Sequence, residues 1–486
     1  MAPSAVSLRS FDMGPNPAMA RAASYGQRYR QKIHTPHPTA TAQELREKFC
    51  IPLPENPTDG VDVIDRLIEA AEPGLVGNTG ANFYAWVMGA SDPVGVAADW
   101  LTSVWGQNAA IFQCSPAAAI AEEAVADWLL DLLDLPRQSS VGLVTGATMA
   151  GFVALAAARS AVLARFGHDY ERDGLQTAPL VQIYLSDDTH VSNIAALRHL
   201  GFGEANINRI KSDDGGLINT EDLETAMSAH TGPKIIIGTA GHINSGGFED
   251  FHELARLAKL HHAWLHVDGA FGLWARVLAG KDELVGGLEF ADSWSTDGHK
   301  WLQIPYDSGF AIVKDARAHK RAMDISASFL NHSPHDGRNP TEFNLELSRR
   351  ARGFAAWAVF MALGKQGIRD LVAGHCQSAQ LLAERVAEID GLRLTNAVLL
   401  NQITLTVTDA VFDADAATQS LADELNAAHS VFVKTADWKG RKVMRLSLIS
   451  KGTDNKVTQE LANSIATAWM NVRPQFEGRN ASLQAI

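Results

Sequence analysis

The spacing of apolar residues divides the chain into helical and α/β stretches. From residue 61 to about 135, apolar residues recur three and four positions apart in VDVIDRLIEAA and AAAIAEEAVADWLLDLLDL, which predicts amphipathic helices that stop at Pro136. Beyond Pro136, short apolar runs alternate with helical stretches, as in strands joined by crossover helices. We expect strands over 141–145, 180–186, 234–239, 263–268, 291–295 and 309–313, and helices over 149–166, 191–200, 220–228 and 250–261. This pattern predicts a mainly parallel sheet covered on both faces, with ligands bound beyond the carboxyl ends of its strands.

The two ends of the chain differ from this central part in composition and in the order of their predicted elements. Residues 1–60 are rich in Pro, Ala and Arg and predict an arm with one short helix near TAQELREKF. From about residue 345, a long helix over LELSRRARGFAAWAVFMALG leads to a smaller lobe, whose strands NQITLTVTD and KVMRLSLIS are each followed by a helix. We therefore predict an N-terminal arm and helical segment over 1–110, a large α/β domain over 111–365 and a small C-terminal α+β domain over 366–486.

Composition and charge narrow the classes of function. The 486 residues carry a net charge of −13 with a pI near 5.7, which argues against a nucleic-acid groove or an anionic membrane surface. The three cysteines are too far apart for a disulfide framework or a structural zinc site, and no apolar run approaches the ~20 residues of a membrane span. The basic residues of the first 40 positions fit either an organelle transit segment or an arm on a partner subunit. We expect a cytoplasmic protein.

The residues just past each strand carry the candidate chemistry. Gly146, Ala147 and Thr148 open a helix directly after the first strand, where free backbone N–H groups and the helix dipole attract anions. The segment lacks the Lys-Ser/Thr pair of a nucleotide phosphate loop, so it predicts either a site for a phosphate monoester or a tightly packed helix start. Asp268 ends another strand on the same face as His266, and a carboxylate at the end of such an apolar run needs a partner.

Two further basic residues, His190 and Lys300, also stand just past predicted strands. His190, after the second strand, is on its own more typical of a capped or surface residue than of a catalytic one. His262 and His266 do not predict a metal site, because the chain turns from helix to strand between them. Lys300 stands in the turn DGHKW between two β-rich runs, where we expect it to be buried. A phosphate site, a carboxylate, a histidine and a lysine at one sheet edge together predict pyridoxal 5'-phosphate, whose aldehyde forms a Schiff base with lysine.

The same residues stand in motifs that closely resemble those of a known family. HVDGAFG with Asp268, DGHKW with Lys300, SDDTH with His190, and ELSRRAR over 346–352 resemble the group II pyridoxal-phosphate decarboxylases, which include aromatic L-amino acid and glutamate decarboxylases. The resemblance runs from about residue 60 to about 470. It implies a type I aminotransferase-like fold with a mainly parallel seven-stranded sheet, and a homodimer with active sites at the subunit interface.

The resemblance also implies roles for individual residues. Lys300 resembles the Schiff-base lysine, Asp268 the partner of the pyridine nitrogen and His190 the ring that stacks on the cofactor. Phosphate contacts would come from Ala147, Thr148 and His299, and Ala270 would pack on the far face of the cofactor ring. The HKW triplet is closer to the aromatic branch, which favours decarboxylation of an aromatic amino acid to the amine. Met149 and Asp297 depart from the family pattern, since many members have glutamate and asparagine there.

A third departure concerns the proton that ends the reaction. In the family a loop tyrosine is held to protonate the substrate carbon after carbon dioxide leaves, but here the loop reads Ser-Phe-Leu-Asn-His, with Phe329 in the place of tyrosine. Either His332 or water supplies the proton, or dioxygen intercepts the carbanion to give aldehyde, ammonia, carbon dioxide and peroxide, as in aldehyde synthases. A non-catalytic relative that keeps the fold is a third hypothesis, and the intact Lys300, Asp268 and His190 argue against it.

The substrate side chain is not specified by any motif. The segments 81–90 and 110–116 are aromatic and small, and they offer a candidate substrate pocket, for which an equally fair interpretation is that half of the aromatic residues belong to the core. These candidates are Phe83, Tyr84, Trp86 and Phe112.

Overall fold

The structure is a computed structural model that describes residues 16–31, 36–325, 337–408 and 413–476. Its N-terminal part is helical, with helices α1 (Pro17–Gln31), α2 (Ala42–Phe49), α3 (Gly60–Ala71), α4 (Pro93–Trp105) and α5 (Pro116–Leu132). The prediction of one short helix in the arm was wrong, because α1 precedes α2. Alanines give α1 a high helix propensity, and it packs on α3, where Arg21 pairs with Asp65.

The centre of the molecule is a seven-stranded sheet with order β1-β7-β6-β5-β4-β2-β3. Strand β7 runs antiparallel to both of its neighbours, and the other strands are mutually parallel. In chain order the elements are β1 (Ser140–Val144), α6 (Ala147–Arg165), α7 (Tyr170–Asp173), β2 (Gln182–Ser186), α8 (Val191–His199), β3 (Ile207–Ile210), α9 (Thr220–Ser228), β4 (Lys234–Thr239), α10 (Phe251–Leu260), β5 (Trp264–Asp268), α11 (Asp282–Val285), β6 (Ser293–Asp297), β7 (Gly309–Val313) and α12 (Ala316–Met323).

The predicted mainly parallel sheet and its four crossover helices are confirmed, with boundaries shifted by one or two residues. The apolar pattern missed β3, a four-residue edge strand whose first three residues are partly or fully exposed. The carboxyl ends of β1, β2, β4, β5 and β6 meet at one edge of the sheet, as parallel strands require.

Helix α6 is long and apolar enough to cross a membrane by length and composition alone. Most of it is buried, however, and it packs against β5, β6 and β7 on one face of the sheet. Arg159 within it donates to the Leu200 carbonyl. These contacts make α6 a core helix of the large sheet.

The long helix predicted from about residue 345 begins only at Gly353, as α13 (Gly353–Ala387). Residues 345–352 are irregular because their arginines bind partners on three sides. Arg349 is buried against Glu122 of α5, and the Arg349 carbonyl accepts the N–H of Ala109. A helix here would turn the Arg349 side chain and carbonyl away from these partners.

A second, four-stranded antiparallel sheet follows α13, with order β10-β11-β9-β8. Both predicted strands are present and each is followed by a helix. The elements are β8 (Leu392–Leu394), β9 (Gln402–Val407), α14 (Ala414–Ala427), β10 (Lys434–Trp438), β11 (Arg441–Ser447) and α15 (Asn455–Val472). Helix α13 breaks at Gly364, where φ is 59°, and its apolar contacts pass from the large core to the small core between Cys376 and Ala379. The domain boundaries themselves stay a prediction.

Candidate active site

A cleft of about 340 Å³ lies at the carboxyl edge of the large sheet. Each wall comes from the chain just after a strand: β1 leads into the start of α6, β2 into the start of α8, and β6 into the lysine turn. All of the residues that the sequence assigned to the cofactor line this cleft, namely Ala147, Thr148, His190, Asp268, Ala270, His299 and Lys300. The structure thus brings the predicted set together, while the role of each residue stays a prediction.

Lys300 projects into the cleft with its side chain 23% exposed, and its Nζ lies 3.0 Å from Asp297 Oδ2. Lys300 is therefore partly buried and not fully buried as expected, whereas its neighbour Trp301 is fully buried. The turn is held by the N–H groups of Gly298 and His299, which donate to the Ser308 carbonyl at 3.0 and 3.2 Å. These bonds fix the turn, and the Lys300 amine reaches into the cleft beside Asp297.

The lysine turn is also fastened to the small sheet. The indole N–H of Trp301 donates to His375 Nδ1 at 3.0 Å, and His375 Nε2 then donates to the Ser450 carbonyl at 2.9 Å. Burial lowers the pKa of His375 to about 4, so its ring is neutral and keeps the tautomer that this chain of bonds requires. Gln303 donates to the Ile449 carbonyl at 2.8 Å.

Asp268, at the end of β5, has partners within the chain, as a carboxylate at the end of an apolar strand requires. Its Oδ2 accepts the amide N–H of Asn193 at 2.6 Å, and its Oδ1 accepts the N–H of Ala270 at 3.2 Å. His266, on the same strand, is fully buried and lies 2.9 Å from Ser293 Oγ through Nδ1. Burial lowers the pKa of His266 to about 4, so the charge at this strand end is the carboxylate of Asp268.

His190 caps α8 and faces the cleft. Its Nδ1 accepts the backbone N–H of Ser192 at 3.3 Å and lies 2.8 Å from Ser192 Oγ. Since Nδ1 is an acceptor, the ring proton sits on Nε2. The surrounding walls lower the pKa of His190 by desolvation, which keeps the ring neutral. His190 can therefore stack on a flat ligand and offer one N–H donor.

The start of α6 forms the anion-binding end of the cleft. Gly146 at the N-cap has no side chain to close the turn, and within the described ranges nothing accepts the backbone N–H of Thr148 or Met149. The N–H of Ala147 donates to Asp297 Oδ1 at 2.6 Å. A Cβ atom on Gly146 would lie 2.9 Å from His299 Cε1, so only glycine lets the two turns approach this closely.

The four aromatic residues proposed for the substrate pocket lie outside the cleft of a single chain. Phe83 packs against Phe432 with ring centroids 4.9 Å apart, Tyr84 belongs to the core of the small sheet, and Trp86 is half exposed. Phe112 opens the short 3-10 helix Phe112–Cys114. The apolar lining instead comes from Val87, Met149, Ile243 and Phe271. Phe329 and His332, in the loop where the family has its tyrosine, lie outside the described residues.

Sequence reasoning missed two residues at the site. Asn193 stands three positions after His190 on the buried face of α8, and a lone amide on such a face is a usable signal. Arg445 of β11 interrupts an apolar strand and donates to Asn244 Oδ1 at 3.0 Å. Burial lowers the pKa of Arg445, and its charge lowers the pKa values of His190 and His242, which places it within electrostatic reach of the cleft. No carboxylate in the described part of the chain pairs with it.

The residues of the cleft fit pyridoxal phosphate. Lys300 supplies an amine, Asp268 a fixed carboxylate, and the first turn of α6 supplies open N–H donors at the opposite end. Ala270 leaves room beside Asp268 for a flat ring. Nowhere in the described ranges do three or more His, Cys, Asp or Glu side chains gather as a metal-binding group.

The sequence model of the pyridoxal-dependent decarboxylase conserved domain matches residues 43–406. The chain belongs to this family. The decarboxylase is 27% identical over 429 residues to the aromatic-L-amino-acid decarboxylase of Bacillus atrophaeus, covering 85% of this chain and 86% of the relative. It is 23% identical over 430 residues to the phenylacetaldehyde synthase of Arabidopsis thaliana, covering 84% and 86%.

Solved structures confirm the type I fold. The crystal structure of Oryza sativa TDC with PLP and tryptamine superimposes with a TM-score of 0.86 at 21% identity, covering 93% of this chain and 97% of the other. The decarboxylase is thus a pyridoxal-phosphate-dependent enzyme that decarboxylates an amino acid. The hypothesis of a non-catalytic relative is dropped.

Proposed function

We propose that this enzyme decarboxylates an aromatic L-amino acid to the corresponding amine and carbon dioxide. The observation that carries the proposal is the meeting of Lys300, Asp268 and His190 in one cleft that also has an apolar part. Val87, Ile243 and Phe271 offer this wall to a substrate side chain without any charge. The relatives named as aromatic decarboxylases support the same substrate class.

Each residue then has a defined task. The Lys300 amine is the group that would hold the cofactor through its aldehyde. The carboxylate of Asp268, held by Asn193, keeps a proton on the pyridine nitrogen. When bound, pyridoxal phosphate supplies an electron sink for the bond that loses carbon dioxide. The Nε2–H of His190 and the guanidinium of Arg445, which no carboxylate of the described residues pairs with, are donors available to orient the substrate carboxylate.

We also propose that the enzyme works as a homodimer with its active sites at the interface. The apolar helix α4 buries only Gly95 and Thr102 in the single chain. Large apolar side chains along it are 43–57% exposed, namely Trp100, Leu101, Val104 and Trp105, and Trp357 and Met361 of α13 are exposed beside it. Exposed patches of this kind mark interfaces. Light scattering should give twice the chain mass for the wild type, and Leu101→Glu should shift the mass towards one chain.

The domain boundaries and the cellular location also belong to this proposal. The division into segments 1–110, 111–365 and 366–486 follows the separate apolar cores of the two sheets and the helix break at Gly364. The cytoplasm is the expected location, and the three cysteines are free thiols, as a reducing compartment requires.

A second candidate function is the oxygen-consuming route to an aldehyde. It is favoured by Phe329 in place of the loop tyrosine and by the relative named phenylacetaldehyde synthase. Without a positioned acid, the rate of proton transfer to the substrate carbon falls by roughly a hundredfold to ten-thousandfold, which gives dioxygen time to react.

The deciding experiment is a product assay in air. The protein loaded with pyridoxal phosphate is incubated separately with phenylalanine, tyrosine, dopa, tryptophan and glutamate, and the products are identified by mass spectrometry with a parallel peroxide assay. Amine without peroxide supports the first candidate. Aldehyde with equimolar peroxide supports the second, and Phe329→Tyr should then shift the product to amine. Turnover of glutamate alone would overturn the aromatic assignment, and Lys300→Ala is the inactive control.

A further inference from the structure

The anion-binding end of the cleft contains a buried carboxylate. Asp297 is 2% exposed, and its Oδ1 accepts the N–H of Ala147 at 2.6 Å, in the same turn that fits the cofactor phosphate. His299 Nε2 lies 3.4 Å from the same oxygen, and Lys300 Nζ lies 3.0 Å from Oδ2. An ionised carboxylate cannot donate a hydrogen bond to a phosphate, and it repels one.

Binding of the cofactor brings a second anion to Asp297. When the Lys300 nitrogen bonds to the aldehyde carbon, two N–H hydrogens leave with the aldehyde oxygen as water, so this step takes up no proton and adds no positive charge. A phosphate monoester, with a charge of about −1.5 to −2, enters the turn beside Asp297. Its charge makes a negative Asp297 less favourable.

Apart from Lys300, no titratable group that faces this carboxylate in the described residues adds a positive charge. His190 and His299 both have pKa values lowered by burial, so both rings are neutral. His299 Nδ1 accepts the N–H of Ser308 at 3.3 Å, and protonation at that nitrogen would cost this bond. Tyr306, whose ring lies 4.4 Å from that of His299, has a pKa raised to about 12 by burial and by Asp297.

We propose that Asp297 takes up one proton on Oδ2 when the cofactor binds, and donates it to the phosphate. The protonated acid then does what an amide N–H would do at this position, while Oδ1 keeps its bond to Ala147. Since binding consumes a proton, the affinity for the cofactor should fall as the pH rises. The inference rests on the cofactor alone and not on the proposed substrate or product.

The test uses pyridoxine 5'-phosphate, which carries the phosphate but has no aldehyde to react with Lys300. Calorimetry in two buffers of different ionisation enthalpy counts the protons bound, and titrations between pH 7 and 9 give the affinity, over a range where a phosphate monoester is already a dianion. One coupled proton weakens binding by about tenfold per pH unit above the pKa of the free group. The pyridine nitrogen also takes up a proton beside Asp268, so the informative quantity is the difference between variants.

Asp297→Asn should lower the number of protons bound by about one and flatten the pH dependence, with tighter binding at pH 9. The matched control Asp214→Asn removes an exposed carboxylate that does not line the cleft, and it should behave as the wild type. Methyl phosphate lacks a pyridine ring. Its competition with pyridoxine 5'-phosphate for the wild type therefore measures the proton uptake that belongs to the phosphate alone.

Equal proton counts for the wild type and Asp297→Asn, or competition by methyl phosphate without proton uptake, would overturn the inference. An enzyme that decarboxylates but shows no such uptake refutes only this inference. An enzyme that shows the uptake but makes neither amine nor aldehyde refutes only the proposed function.

Discussion

Replacing Arg349 by methionine should destabilise the large sheet at the strand that leads into the anion-binding turn. The Arg349 guanidinium and the Glu122 carboxylate are 0% and 1% exposed and lie 2.5 Å apart. Arg349 also donates to the carbonyls of Leu143 on β1 and of Ala109, at 2.6 and 3.2 Å. Methionine keeps most of the volume but leaves the Glu122 carboxylate buried without this cation and leaves two carbonyls without a donor.

The size of the effect follows from this burial. Breaking a fully buried ion pair by removing one partner costs about 3–5 kcal/mol of unfolding free energy. With an unfolding entropy of about 2.1 cal/mol/K per residue, a chain of 486 residues loses about 1 °C of melting temperature per kcal/mol, so we expect a decrease of about 3–5 °C. Thermal unfolding followed by circular dichroism, with and without pyridoxal phosphate, measures it.

Two comparisons make the test specific. Arg256→Met removes a solvent-exposed arginine that pairs with Glu224 and Glu253, and it should leave the melting temperature nearly unchanged. The double variant Glu122→Leu with Arg349→Met removes both charges and should recover most of the loss. If Arg349→Met melts no lower than Arg256→Met, the argument that this pair fastens β1 is wrong.

Three further predictions concern the cleft and its supports. Asn193→Leu removes a donor to a buried carboxylate and should lower kcat/KM by about tenfold to a hundredfold, as measured by steady-state kinetics. Arg445→Met should raise KM by a similar factor with a smaller change in kcat, and a smaller effect on KM than on kcat would exclude a role in substrate binding. Because His375 is neutral when folded, with a pKa of about 4, and titrates near 6.5 when unfolded, the unfolded state binds more protons between these values and stability should fall as the pH drops from about 6.5 to 4. Urea unfolding at pH 7 and pH 5 should show a smaller acid loss in His375→Gln than in the wild type.

The central strands could be predicted because they are buried on both faces and therefore read as uninterrupted apolar runs. Where an element is held by polar contacts, the apolar pattern fails. Residues 345–352 have helical spacing, yet the buried Arg349 decides their path, and periodicity takes no account of an ion pair with a residue 227 positions away. The apolar pattern missed the edge strand β3 because most of that strand is not buried and so carries no apolar run.

The site divides in the same way. Lys300, Asp268 and Ala147 were predicted from the rule that ligands bind at strand carboxyl ends, which depends only on where strands stop. The residues that set their chemistry come from elsewhere in the chain. Asn193 reaches Asp268 across 75 positions, and such pairings become visible only when the elements are packed together.

The order of charges along the sheet edge gives a reason for the direction in which the cofactor binds. In space the strands run β1, β7, β6, β5, so the lysine turn after β6 lies between the start of α6 and Asp268. The edge thus presents a positive helix end, an amine and a carboxylate in sequence, which matches the phosphate, the aldehyde and the basic nitrogen of the cofactor. A reversed cofactor would set its phosphate against Asp268 and leave the N–H groups of Thr148 and Met149 at the helix end without an acceptor. Chain order alone, in which β5 and β6 come long after β1, does not reveal this arrangement, because it arises when β7 inserts between β1 and β6.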